Sequence, residues 1–284
     1  MAEIDDFLDW LACPVCGGLL ARSGDGLTCD RGHTSDVAKQ GYANLLGPHG
    51  TTHTADDSKM LDARYRVLGA GLFDPMVDAV REVLRALPED GRPGPVLDLG
   101  TGTGFHLDRA LEELPDRLGL GLDNSKFAAR RVARCHPRSG AVVADVWTGI
   151  PMQDRSVPVL LDVFAPRNGP EIERVLTPDG VAIIVTAGPD HLAGIPRGFG
   201  MITVDPEKDE RLERTMASLR RLDSPGRVEW SMSLSPAEVA DIAAMGPAAG
   251  RVDEGGLEEA VGALAPWTEV EGQVEIHLFG PEVD

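Results

Sequence analysis

Three cysteines and a histidine near the start of the chain have the spacing of a metal site. Cys13 and Cys16 form a C-x2-C knuckle; Cys29 follows after a gap of twelve residues, and His33 after a further three. Three thiolates and one imidazole are soft to borderline donors, which suit Zn2+ in a tetrahedron. Four protein ligands leave no open coordination position, so such a site is structural. A module this small buries little apolar surface, and the metal would supply its folding energy. The remaining cysteine, Cys135, stands alone. Thiols crowded into one short segment point to metal ligation rather than to a disulfide framework.

A second pattern runs from Asp98 through Gly100, Gly102, Thr103 and Gly104. It lies between a predicted strand at 95–100 and a predicted helix at 106–113, where glycines let the backbone turn sharply and approach a ligand. A dinucleotide site would prefer G-x-G-x-x-G. Here the repeat is D-x-G-x-G-x-G, and a carboxylate at the strand end suits a cationic, amino-acid-like ligand better than a pyrophosphate. This spacing resembles the first motif of the class I methyltransferases. The resemblance implies S-adenosylmethionine as cofactor, with Asp123 and its neighbour Asn124 at the ribose and Asp145 at the adenine amino group. Asp123 and Asp145 end the next two predicted strands, and open α/β sheets bind ligands along that edge.

The elements that would position these residues follow from periodicity. Short apolar strands are predicted at 95–100, 118–123, 141–145, 158–164 and 180–187, with helices at 106–113, 127–136 and 170–176 between them. That alternation indicates a parallel sheet covered on both faces. Upstream, Met60, Arg64 and Val67 share one face of a predicted helix, and Val77, Val80, Val83, Leu84 and Leu87 line a second, which the Pro/Gly-rich stretch 88–95 breaks. Further helices, a strand near 227–234 and a closing strand near 274–280 complete the chain. The expected organisation is a zinc-binding module at 1–46, a linker and helical region at 47–94, and an α/β, Rossmann-like catalytic domain at 95–284.

Longer stretches carry a closer resemblance. Behind the cysteine module come Gly32, His33, Asp36, Ala38, Lys39, Gly41, Tyr42 and Asn44; then Asp57, Met60, Ala63 and Arg64; then Phe164, Ala165, Pro166, Arg167 and Asn168 after the fourth strand. Together these resemble the 23S rRNA (guanine-N1)-methyltransferases, the family that includes the tylosin-resistance enzymes, over roughly residues 10–192. The residues after Ala165-Pro166 resemble that tylosin-type branch more than the enterobacterial one. The resemblance implies that Phe73 and His191 also touch the cofactor, that a 23S rRNA hairpin is the partner, and that the protein assembles as a homodimer. The loop after the fourth strand faces the methyl group in this fold. Arg167 and Asn168 are therefore the candidate catalytic residues, Asn168 reading the Watson–Crick edge of the base and Arg167 stabilising charge on O6.

Composition bounds these readings. Of 284 residues, 42% are hydrophobic, enough for a packed core. No apolar run is long enough to span a membrane, and the acidic start does not resemble a signal peptide, so a cytoplasmic location is expected. The net charge of −19 runs against the basic face usual in RNA binders. Residues 1–46 hold three Lys/Arg against seven Asp/Glu, so RNA contact there would rest on shape or on Arg22, Arg31 and Lys39. The basic stripe Arg130, Arg131, Arg134 and Arg138 is expected on a helix packed away from the cleft. Two other functions remain open: a small-molecule methyltransferase on the same scaffold, favoured by the acidity, and a non-catalytic zinc- and cofactor-binding protein.

Overall fold

The computed structural model of the chain describes all residues except 1, 49, 89–92, 202–204, 206, 224–225, 247–248, 250–251 and 283–284. Part of the break expected at 88–95 thus lies outside the described residues. Leu20–Ser23 (β1), Gly26–Cys29 (β2) and Thr34–Asp36 (β3) form a three-stranded antiparallel ribbon. A large sheet takes Ala43–Asn44 (β4), Val96–Leu99 (β5), Gly119–Asp123 (β6), Ser139–Val143 (β7), Val157–Val163 (β8), Leu176–Ala187 (β9), Leu219–Arg221 (β10), Gly226–Leu234 (β11) and Thr268–Pro281 (β12). Its order is β10-β12-β9-β8-β5-β6-β7-β4, with β11 also on β12. Strands β4 to β9 pair in parallel, and β12 runs antiparallel to β9, β10 and β11.

The chain winds outward from β5 in both directions, to β6 and β7 on one side and to β8 and β9 on the other. That reversal opens a crevice beyond the C-terminal end of β5, where the glycine loop falls. One face of the sheet is covered by Ser58–Gly69 (α1), Asp74–Ala86 (α2), Phe105–Glu113 (α3) and Lys126–Val132 (α4), through Val67, Val80, Leu107, Leu111 and Val132. On the other face lie Gly169–Val175 (α5) and Lys208–Thr215 (α6), with Ile172, Val175 and Leu212 in the core. The ribbon module shares that second core: Phe7, Leu11 and Leu27 pack with Leu97, Leu120 and Val142. Each such side chain, fully buried, contributes about 1.5–3 kcal/mol. Pro236–Met245 (α7) and Glu254–Gly262 (α8) complete the C-terminal part.

The signature segment at 41–46 has a structural reason. Its Ala43 and Asn44 are β4, paired with Val142 and Val143 of β7, and Tyr42, Ala43 and Leu45 are buried. Asp57 caps α1 by accepting the Met60 N–H at 2.9 Å. The buried face of α1 is Leu61, Ala63, Val67 and Leu68, which corrects the expected Met60–Arg64–Val67 face. Met60 and Arg64 are half-buried, and Arg64 pairs with Asp56. Helix α4 ends at Val132, short of the expected 136, one turn before Pro137. Arg131 on it pairs with Asp62, and Arg138 donates to the carbonyls of Leu111, Leu114 and Arg117, so the expected basic stripe is partly consumed within the fold. No helix among the described residues is long and apolar enough to cross a membrane.

Candidate functional site

The four candidate metal ligands converge. Cys13 and Cys16 lie on the knuckle before β1, Cys29 ends β2, and His33 precedes β3. Their ligand atoms all lie within 4.8 Å of one another. Cys16 Sγ is 3.7 Å from Cys29 Sγ, and His33 Nδ1 is 3.6 Å from Cys13 Sγ and 3.4 Å from Cys29 Sγ. A tetrahedron with Zn–S arms of about 2.3 Å has edges of about 3.8 Å, so the spacing fits zinc with His33 bound through Nδ1. Burial raises the Cys29 thiol, yet backbone N–H groups of His33 and Arg31 and the neighbouring thiols bring it down to about 6. A thiol that ionises so readily favours metal ligation.

At the end of β5 the loop is built by backbone that ordinary residues resist. Gly100 and Gly102 have φ of +60° and +55°. A Cβ on Gly100 would stand 2.6 Å from the Ala165 Cβ, and one on Gly102 would stand 2.6 Å from Arg64 Nη1. The loop is therefore pressed between the segment after β8 and the side chain of Arg64. Thr103 is buried, and Gly104 caps α3.

The three expected acids follow the sheet edge: Asp98 within β5, Asp123 ending β6, and Asp145 two residues past β7, which stops at Val143 rather than at the expected 145. Asp98 is buried, and burial pushes its carboxyl up to about 7 although the Thr101 hydroxyl donates to it at 2.6 Å. Asp123 accepts the backbone N–H groups of Gly102 at 2.9 Å and Ser125 at 2.8 Å, while burial still raises its pKa. Asp145 accepts from the Thr51 hydroxyl at 2.5 Å, lies 2.8 Å from His53 Nδ1, and accepts the Trp147 N–H at 3.0 Å. Burial opposes ionisation there, but these partners outweigh it and lower its pKa.

Within the region expected as linker and helices at 47–94, residues 51–56 form a strap along this edge. Besides Thr51 and His53, Asp56 accepts from Ser125 Oγ through its carbonyl at 2.6 Å and pairs with Arg64 at 2.6 Å. Asn124 Nδ2 reaches the His53 carbonyl at 3.5 Å. Arg64 also donates to the Met245 carbonyl. The quoted signature at 57–64 was the available signal: it ends on the arginine that clamps the glycine loop.

Phe73 and His191 meet with ring centroids 5.9 Å apart. Trp230 of β11 stands 5.6 Å from Phe73 and donates its indole N–H to the Leu72 carbonyl, and Phe164 stands 5.3 Å from His191. Neither Trp230 nor Phe164 had been singled out on its own. His191 Nδ1 accepts the Gln273 N–H at 3.3 Å, which leaves the hydrogen on Nε2. Burial pushes this imidazole down to about 4, so it is neutral at pH 7.

The loop after β8 is pinned at both ends. Arg167 Nε donates to Asp162 Oδ1 at 3.1 Å, and Asn168 Nδ2 donates to the Val146 carbonyl at 3.0 Å. Asp162 was missed from sequence. It is fully buried, its second oxygen has no hydrogen-bond partner among the described residues, and burial, only partly offset by Arg167, pushes it up to about 7. Between this edge and the ribbon runs a cavity of about 420 Å3, lined in part by Cys13, Leu45, Asp145 and Glu171. The zinc site and the crevice are thus neighbours.

A glycine loop with a buried acid at the C-terminal edge of a parallel sheet stands where open α/β folds bind ligands. That places the protein among the class I S-adenosylmethionine-dependent methyltransferases, with a structural zinc ribbon. A solved structure described provisionally as a methyltransferase from an antibiotic biosynthesis pathway of Anabaena variabilis shares the fold, at TM-score 0.50 and 12% identity over 71% of this chain and 96% of that one. The family model of the RlmA N-terminal zinc ribbon matches residues 11–49. Over 272 residues the chain is 40% identical to the 23S rRNA (guanine(748)-N(1))-methyltransferase of Streptomyces fradiae, covering 96% of this chain and 97% of that protein. It is also 40% identical over 294 residues to a protein of Micromonospora griseorubida named provisionally as a 23S rRNA (guanine-N(1)-)-methyltransferase, covering 97% and 99%. The chain belongs to the family of 23S rRNA (guanine-N1)-methyltransferases.

Two outcomes are expected. Wild-type protein should carry about one zinc per chain by atomic absorption, and Cys29→Ala should lose it together with several degrees of thermal midpoint; a variant that keeps its zinc would remove Cys29 from the ligand set. Asp162 is raised in the fold, so its contribution to stability is full at low pH and is lost as pH climbs from about 4 to about 7. The urea midpoint should therefore drop less between pH 5 and pH 8 in Asp162→Asn than in wild type. Equal drops would show that Asp162 is ionised without cost.

Proposed function

We propose that this protein methylates N1 of a guanine in a 23S rRNA hairpin. The observation that carries the reading is the 40% identity to the Streptomyces fradiae enzyme over nearly the whole of both chains. The intact glycine loop and strand-end acids support it by supplying what the reaction needs.

S-adenosylmethionine supplies an electrophilic methyl group. Asp98 would hold the cationic amino-acid end, Asp123 and Asn124 the ribose, Asp145 the adenine amino group, and Phe73 and His191 the side facing β11. Asp145 already has Thr51 and His53 on one oxygen, so seating the adenine would shift or share the strap. The main task of the chain is alignment, since orientation alone supplies many kcal/mol. Guanine N1 carries a proton at neutral pH; as the N1–methyl bond forms and the methyl–sulfur bond breaks, that proton passes to solvent water, and charge on O6 must be stabilised meanwhile. Arg167 and Asn168 are the residues proposed to meet the base, Arg167 at O6 and Asn168 at the Watson–Crick edge. Their anchoring to Asp162 and to the Val146 carbonyl would fix the loop from which they act. The target base must leave its stack to reach the crevice. Two-fold assembly and a part in macrolide resistance belong to the same reading.

Labelled S-adenosylmethionine offered with unmodified 23S rRNA should place label on N1 of one guanine, mapped by mass spectrometry. Asn168→Ala should cut turnover about tenfold or more and leave cofactor affinity near wild type. Intact cofactor binding with no label on rRNA would shift the acceptor to a small molecule.

A further inference from the structure

Phe164 is one of three non-glycine residues at positive φ among the described residues, with Arg155 and Leu192. It follows β8 in the left-handed region, at φ +55°, a strained conformation for a non-glycine residue that persists only where its surroundings enforce it. The enforcement is visible. Ala165 lies against Gly100, Arg167 is tied to Asp162, and Asn168 is tied to Val146. The result is a phenylalanine that remains 44% exposed, while Phe73, in the same aromatic group, is 1% exposed. One side of its ring packs on His191 at an interplanar angle of 36°. The next residue, Ala165, lies against Gly100, so Phe164 is one residue along the chain from a contact with the glycine loop.

We propose that Phe164 is the stacking platform for the acceptor purine, backed on one side by the His191 ring and with the Arg167 guanidinium as donor toward an acceptor-rich edge. The inference rests on the rRNA reading above and deepens it. A flat apolar ring at the crevice bordered by N–H donors suits a planar heterocycle presenting carbonyl and ring-nitrogen acceptors, as guanine does with O6 and N7. Charge adds to the argument. A chain of net charge −19 gains little from phosphate contacts, whereas base–aromatic stacking does not depend on net charge. Phe164 is thus a positioning residue for the acceptor, not a participant in proton transfer.

Single-turnover methyl transfer to 23S rRNA, with S-adenosylhomocysteine affinity and thermal midpoint measured alongside, tests this. Phe164→Tyr keeps a ring and should retain transfer within about twofold. Phe164→Leu keeps apolar bulk without the ring and should lose about tenfold or more, with S-adenosylhomocysteine affinity unchanged. Phe164→Gly suits the left-handed backbone; it should hold the thermal midpoint and lose transfer as Leu does. Wild-type rates in Phe164→Leu would overturn the proposal. So would a loss of S-adenosylhomocysteine affinity that matches the loss of transfer, since the ring would then belong to the cofactor. No transfer to rRNA by the wild-type protein would overturn the acceptor reading, and this inference with it.

Discussion

Asp98, Asp123, Asp145 and Asp162 crowd negative charge into one dry edge of the sheet, and the surrounding structure is arranged to offset it. An ionised carboxylate out of water is costly unless it is paired or hydrogen-bonded. Each acid meets this differently. Asp123 is held by two backbone N–H groups, Asp145 by the strap, and Asp162 by Arg167. Asp98 accepts the Thr101 hydroxyl, and its carboxyl is pushed up to about 7. It lies at the loop where a cationic ligand end would arrive.

The same constraint explains the strap. Residues 51–56 reach the edge from between the ribbon and α1, and Arg64 pins them through Asp56 while standing over Gly102. One guanidinium thus joins the linker, the glycine loop and, through the Met245 carbonyl, the end of α7. Three segments far apart in sequence meet on it. Its planar array of donors suits such a junction better than a lysine ammonium would.

What was legible in the sequence was local. The zinc ligands could be read because their spacing is set by two tight turns, and the glycine loop because strand, acid and glycines are contiguous. Arg64 and Asp57 could be quoted as a signature, but their roles as clamp and helix cap needed the fold. Phe164, Trp230 and Asp162 were not marked as functional. Trp230 reaches Phe73 and His191 through the pairing of β11 with β12, and no local pattern records that pairing. Asp162 sits in an apolar strand and differs from its neighbours only in charge. The left-handed backbone of Phe164 is imposed by contacts on either side, not by its own residue type.

The two-residue strand β4 has a consequence beyond positioning. It lies on the outer edge of β7, whose residues Ser139–Val143 are all buried. An apolar parallel strand with a bare edge is a template for adding strands from other molecules. By holding β4 in place, the zinc ribbon acts as a guard rail for the catalytic sheet. Metal loss would therefore bare this edge to pairing with a second copy of the chain.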